Sequence, residues 1–325
     1  MAGQRIMAGF TGTMLNADLR YLIDTLCVGG IILFSRNIEN AGQVQQLCAD
    51  ARAYAASCGN PSLIIAVDQE GGPVARLKPP DFTELPAAAH IRNASEAAEF
   101  AGIAALELSR AGINMNMAPV LDVTDPAGNS VMTGRAFGND PAKVAEMGTA
   151  VISGLQKNGV MAVAKHFPGI GRTFTDSHAD RPDLDISAAE LQARDLVPFS
   201  AAVRNHAAGI MLSHVRYGAF DPKCPASLSP AVASDLLRRK MGYRGLVLTD
   251  DLEMGAIARY YEMPEAVHQI LEADIDIALI CHTMAKIEAA FETIYAESAG
   301  TKYRRGLTEP VTRILSTKER YLEQA

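Results

Sequence analysis

Apolar residues along the chain fall into eight short runs, at residues 6–11, 30–35, 63–68, 113–123, 160–167, 208–214, 245–250 and 275–282. Most runs are nearly continuous rather than alternating, which is the pattern of parallel strands covered on both faces. Between and after them lie helical patterns: 41–56 and 95–111, Ala-rich with few breakers, 141–158, with apolar residues at helical spacing, and 187–205, 230–241, 264–273, 284–298 and 309–323. Ser187 followed three residues later by Glu190 has the capping-box pattern, and Pro230 and Pro264 suit a first helical turn. Strand then helix, repeated about eight times, predicts a parallel sheet, either open and doubly wound or closed as a barrel. Run after run ends in polar residues: Ser35–Arg36–Asn37, Asp68–Gln69–Glu70, Asp122, Lys165–His166, Ser213–His214, Asp250–Asp251 and Cys281–His282. A barrel gathers all such strand ends at one mouth, whereas an open sheet spreads them along an edge. The prediction is therefore an α/β protein with a (β/α)8 TIM-type barrel, one domain over residues 1–325. Residues 77–90, with three prolines, read as a loop, and 168–185 as the longest functional loop.

Composition narrows the function without naming it. With 48% apolar and 21% charged residues, a chain of 325 residues has material for a large core. The net charge is -7, with no basic stripe to engage nucleic acid. Five cysteines, an odd count with no Cys-x-x-Cys pair, argue against a disulfide framework or a cysteine zinc site and suit a reducing compartment. No apolar run approaches the ~20 residues that span a bilayer. The N-terminal MAGQRIMAGFTGT lacks the basic start, apolar stretch and cleavage site of a signal peptide, so the expectation is a soluble, cytoplasmic protein without membrane insertion.

Three segments carry the candidate chemistry. In GLVLTDDLEM, Asp250 and Asp251 end a strongly apolar strand; side chains alternate along a strand, so one carboxylate suits a nucleophile at the mouth and the other a helix cap. Spacing does not decide which is which, and both acting as caps is an equal reading. In 165–180, KHFPGIGRTFTDSHAD, a strand end delivers Lys165 and His166, and a glycine-containing turn carries Asp176 and His178. A carboxylate beside an imidazole fixes its tautomer and raises its basicity, which makes a general acid/base dyad; a solvated surface histidine is the plainer alternative. In AVDQEGGPVAR, Asp68 and Arg76 flank a Gly-Gly turn and offer the acceptor and donors that a polyhydroxylated ligand needs. Arg135 in TGRAFGND carries a weaker signal of the same kind. The seven histidines form no His-x-His or His-Glu-x-x-His set, so no metal or other cofactor is expected, although a barrel hydrolase with scattered ligands and a modified Lys165 is an alternative.

Taken in order, GGIILFSRNIEN, AVDQEGGPVAR, MNMAPVLDV, GRAF, KHFPGIGRT, DSH, SHVRY to PASLSP, and TDDLEM resemble the short bacterial β-N-acetylglucosaminidases of glycoside hydrolase family 3, across most of the chain. The resemblance implies a retaining enzyme that releases terminal β-linked N-acetylglucosamine, from peptidoglycan fragments, through a covalent intermediate. Carried over, Asp250 is the nucleophile, His178 the general acid/base and Asp176 its partner. Asp68, Arg76, Arg135, Lys165 and His166 match sugar-binding positions, and the partner is a small carbohydrate. Longer relatives draw an acid/base from a second domain; here it is expected from within the barrel. The chain departs from the family at Ile170, where KHFPGHG has a second histidine, at Pro73, and in GRAF for GRSF. Those departures bear on loop positioning and substrate preference. They leave as competing expectations a β-glucosidase or xylosidase on the same scaffold, and a sugar-binding barrel with impaired catalysis.

Overall fold

The structure, a computed structural model, describes residues 1–128, 130–173, 182–298 and 304–323. Eight parallel strands close into a barrel: β1 Ile6–Ala8, β2 Gly30–Leu33, β3 Ile64–Val67, β4 Met115–Asn116, β5 Met161–Phe167, β6 Gly209–Leu212, β7 Leu246–Asp251 and β8 Ile277–Ile280. Each strand pairs with its neighbours in sequence, and β1 closes on β8 with Ile6 opposite Ala278 and Ala8 opposite Ile280. The (β/α)8 prediction is correct, and each of the eight apolar runs contributes one barrel strand.

The continuous apolar runs have two destinations because neighbouring side chains point to opposite faces. Met7, Ile32, Ile64, Ala66, Met115, Met161, Met211, Leu248 and Leu279 fill the barrel interior. Their neighbours Ile6, Ile31, Ile65, Val67, Ile210 and Val247 pack outward under the helices. Polar residues start those helices. Asn16, Asn40, Asn93, Asp140 and Ser187 accept the backbone N–H of Leu19, Gln43, Glu96, Ala142 and Glu190. The capping box predicted at Ser187 and Glu190 is present. Pro264 opens Met263–Glu272 as expected, and Pro230 directly precedes the helical segment Ala231–Lys240.

Two differences from the sequence reading have physical causes. The run 113–123 forms only two strand residues. Pro119 has no N–H to give the ladder, and the Asn116 side chain takes over, accepting Gln69 N at 3.0 Å and donating to Gln69 O at 3.0 Å. Pairing resumes at Val120 and Lys165. The helix Ala17–Asp24 was not anticipated; at eight residues, with only Leu19, Leu22 and Ile23 buried, its periodic signal is short. Past β8, Met284–Ser298 is followed by Arg304–Lys318, whose Ile314 joins the cluster that fills the barrel interior. Among the described residues, no helix is long and apolar enough to cross a membrane.

Candidate active site

A cavity of about 280 Å³ is lined by residues at and beyond the C-terminal ends of the strands. Six residues singled out in the sequence line it together: Asp68, Arg76, Arg135, Lys165, His166 and Asp250. Asp176 and His178 lie outside the described residues.

The turn after β3 aims the first two. Gly71 (φ 85°) and Gly72 (φ 55°) adopt the left-handed region, and a Cβ on Gly71 would meet Pro86 O at 2.2 Å, so the sharp turn excludes side chains. Gln69 then clasps the returning chain, its Oε1 accepting Arg76 N at 2.8 Å and Leu77 N at 3.0 Å. This sets Arg76 beside the strand end, where its Nη2 donates to Asp68 Oδ2 at 3.3 Å.

Lys165 is the hub of the floor. Its Nζ lies 2.8 Å from Asp68 Oδ1 and 2.6 Å from Glu70 Oε1. Arg135 closes the network with a two-pronged grip on Glu70, at 2.9 and 2.7 Å. Burial alone would raise both carboxyls. The charges of Lys165 and Arg76 on Asp68, and of Lys165 and Arg135 on Glu70, outweigh it and hold each below its ordinary value. Burial likewise opposes the charge on Lys165, but Asp68 and Glu70 reverse the effect and raise it.

His166 follows across a cis peptide and also faces the cavity. Its Nδ1 is 2.7 Å from Asp122 Oδ2, and Asp122 Oδ1 accepts Ile170 N at 2.7 Å. With the carboxylate as acceptor, Nδ1 is the donor and Nε2 is left for a ligand. One fully buried aspartate thus orients the histidine and fixes the start of the following loop. Ile170, standing where the family has a histidine, is part of the cavity wall.

At the end of β7 the two adjacent carboxylates diverge. Asp250 Oδ1 accepts Asp251 N at 2.8 Å. Burial would raise its carboxyl, yet His214 and His166, the Asp251 N–H and Lys165 together keep it below the ordinary value. Asp251 also borders the cavity, but its Oδ1 accepts Glu253 N at 3.1 Å and Cys281 N at 3.2 Å, tying β7 to β8. Burial is the main reason its carboxyl is raised to about 6, with the charges of Asp250 and Glu253 adding to it. His214 is held from both sides, Nδ1 to Ser227 Oγ at 2.7 Å and Nε2 to Asp251 O at 2.8 Å. A depressed carboxylate among fixed cationic and imidazole donors is equipped to attack an electron-poor carbon while polar groups grip a polyol.

Glu70, Asp122 and His214 were not assigned roles from the sequence. Each stood among the polar strand ends, and what was missing was the pairing partner, which only folding brings near. Among the described residues, no three His, Cys, Asp or Glu side chains converge as a metal site requires.

Comparison with known proteins is consistent with this geometry. Residues 4–317 match the glycosyl hydrolase family 3 N terminal domain. The chain is 36% identical to the Beta-hexosaminidase of Nitrosomonas eutropha over 286 residues, covering 85% of this chain and 80% of that one. It is 37% identical to the Beta-hexosaminidase of Methylococcus capsulatus over 305 residues, covering 91% and 89%. A family 3 β-N-acetylglucosaminidase from a Paenibacillus species superposes with a TM-score of 0.95 at 39% identity; the match covers all of this chain but 62% of that longer one. The β-N-acetylhexosaminidase of Beutenbergia cavernae gives a TM-score of 0.89 at 28% identity, covering 98% and 97%. By sequence and by fold, the chain belongs to the glycosyl hydrolase family 3 N-terminal domain family.

Proposed function

We propose that the protein is a retaining exo-β-N-acetylglucosaminidase, with Asp250 as nucleophile and His178, partnered by Asp176, as general acid/base. The observation that carries the reading is the setting of Asp250, a depressed carboxylate at the mouth of a barrel, in one cavity with Asp68, Arg76, Arg135, Lys165 and His166. The names of the relatives supply the substrate class. At about 280 Å³ the cavity is at the small end of ligand pockets, which suits one terminal sugar ring.

In this mechanism Arg76, Arg135, Lys165 and Asp68 hold the sugar hydroxyls. Asp250 attacks the anomeric carbon as the glycosidic bond breaks, and His178 protonates the departing oxygen. The product is an ester between Asp250 and the sugar. His178, now neutral, takes a proton from water, the water oxygen bonds to the anomeric carbon, and Asp250 leaves as a carboxylate. Peptidoglycan fragments are the proposed source of substrate. Support for a cytoplasmic setting comes from the five cysteines, an odd count with no Cys-x-x-Cys pair.

The test is hydrolysis of 4-nitrophenyl N-acetyl-β-glucosaminide by wild type and Asp250→Asn. Wild type is expected to release nitrophenol, and the variant to lose about three orders of magnitude or more in kcat. Turnover surviving the substitution would remove Asp250 from the nucleophile role. Binding of N-acetylglucosamine without turnover by wild type would support a sugar-binding barrel instead.

A further inference from the structure

The two described ends of the loop that contains Asp176 and His178 are both held by one short strand on the barrel rim, Arg216–Tyr217. The incoming end is 168–173. Its Gly169 O accepts the Tyr217 hydroxyl at 2.8 Å, and the tyrosine is fully buried, 1% exposed. Gly171 O accepts Asp125 N at 3.0 Å, and a Cβ on Gly171 would meet Val123 O at 2.2 Å. Arg172 Nη2 donates to Asp195 Oδ2 at 2.6 Å. The outgoing end is Pro182–Leu184. Pro182 O accepts Arg216 N at 3.1 Å, and Asp183 and Leu184 pair in parallel with Arg216 and Tyr217. The Arg216 guanidinium grips the Asp183 carboxylate through Nε at 2.7 Å and Nη2 at 2.5 Å.

Tyr217 therefore touches both ends, through its hydroxyl at one and its backbone at the other. Neither Arg216 nor Tyr217 lines the cavity. A buried phenol with a bidentate ion pair next to it, away from the sugar floor, has no part in gripping substrate. What it does hold is the two described stretches on either side of residues 174–181, namely 168–173 and 182–184.

We propose that Arg216 and Tyr217 are positioning residues for the acid/base, a brace that sets where the His178 segment begins and ends. The inference rests on the acid/base reading given above. Misplacing a catalytic group by about 1 Å costs on the order of a hundredfold, and proton donation matters most when the leaving group is a poor one.

The experiment compares kcat/KM, which reports the glycosylation step, for aryl N-acetyl-β-glucosaminides with 2,4-dinitrophenol and with 4-methoxyphenol as leaving groups. His178→Ala is the reference, beside Tyr217→Phe, Arg216→Met and Arg216→Lys. Tyr217→Phe and Arg216→Met are expected to lose about ten- to a hundredfold on the 4-methoxyphenyl substrate and less than about threefold on the dinitrophenyl one. Arg216→Lys, which keeps a charge opposite Asp183, is expected to recover part of the loss. Because Arg216 is partly exposed, its variants test the idea even where Tyr217→Phe fails to fold. Equal losses on both substrates, or no loss, in the brace variants would overturn the inference if His178→Ala itself shows the leaving-group dependence. A His178→Ala variant without that dependence would instead overturn the acid/base reading.

Discussion

Lys165 holds two carboxylates at once, and its neighbours show why a cation can be buried at the floor of the cavity. Alone, its ammonium would be costly to bury; between Asp68 and Glu70 it is more firmly charged than in water. Glu70 is the member of this cluster that sequence reasoning left unassigned. Its side chain borders the cavity, is 3% exposed and is shared between Lys165 and Arg135. Glu70→Gln keeps the shape but removes the charge. It is expected to raise KM for 4-nitrophenyl N-acetyl-β-glucosaminide and lower kcat/KM by about tenfold to a hundredfold, roughly 1.4 to 2.7 kcal/mol. Steady-state kinetics would check this; a fall in kcat with KM unchanged would place Glu70 in the chemical step instead. The depressed carboxyls have a linked consequence. Asp68, Glu70 and Asp250 are held below their ordinary values, so their stabilising contribution is present above those values and is lost as pH falls through the lowered ones.

At the scale of the element, the C-terminal helix Arg304–Lys318 lies across the N-terminal end of the barrel and brings an unusual buried group with it. Lys318 is 1% exposed, and its Nζ donates to Gln4 Oε1 at 2.7 Å. Burial lowers it from 10.5 to about 7, with only the charge of Glu323 acting in the other direction. Between about 7 and 10.5 the unfolded chain holds a proton that the folded chain has released, so stability rises with pH across that window. Lys318→Met has no such proton. Denaturant unfolding of both proteins from pH 7 to pH 9 is expected to show the stability of wild type gaining on that of the variant, by at most about 1.4 kcal/mol per pH unit. Parallel pH profiles would mean that Lys318 stays charged in the fold. The helix itself was legible in the sequence as a helical pattern over 309–323. Its burial of a lysine was not, because a Lys at helical spacing reads as a solvated face until the barrel end is known to lie beneath it.

The whole molecule separates chemistry from stability along the barrel axis, as barrels of this kind do. The mouth was readable in the sequence because the strand ends there are polar after apolar runs, and six candidate residues meet in one cavity. Two kinds of feature stayed hidden. Pairings such as His166 with Asp122 join residues 44 apart and depend on β4 lying beside β5 in the barrel. The break of the 113–123 run depends on Asn116 substituting for a ladder that Pro119 interrupts. The opposite end carries a hub with no counterpart among the sequence motifs. Asp276, fully buried, accepts Arg238 Nη2 at 2.6 Å, Arg313 Nε at 2.7 Å and Val247 N at 2.7 Å, joining β7, β8, the segment Ala231–Lys240 and the C-terminal helix. Arg238 and Arg313 keep Asp274 as a second partner, at 3.1 and 2.5 Å, so removing the Asp276 charge is expected to cost about 3 kcal/mol, the lower end for a broken buried pair. Asp276→Asn is therefore expected to lower unfolding stability by that amount while the protein that remains folded keeps its kcat/KM. Glu70→Gln, at the mouth, also removes a buried charge and is expected to lower kcat/KM and stability together. Measuring stability and kcat/KM for both variants tests the division directly: a loss of activity in folded Asp276→Asn would mean that the two ends of the barrel are coupled, and that the hub shapes the cavity as well as holding the fold.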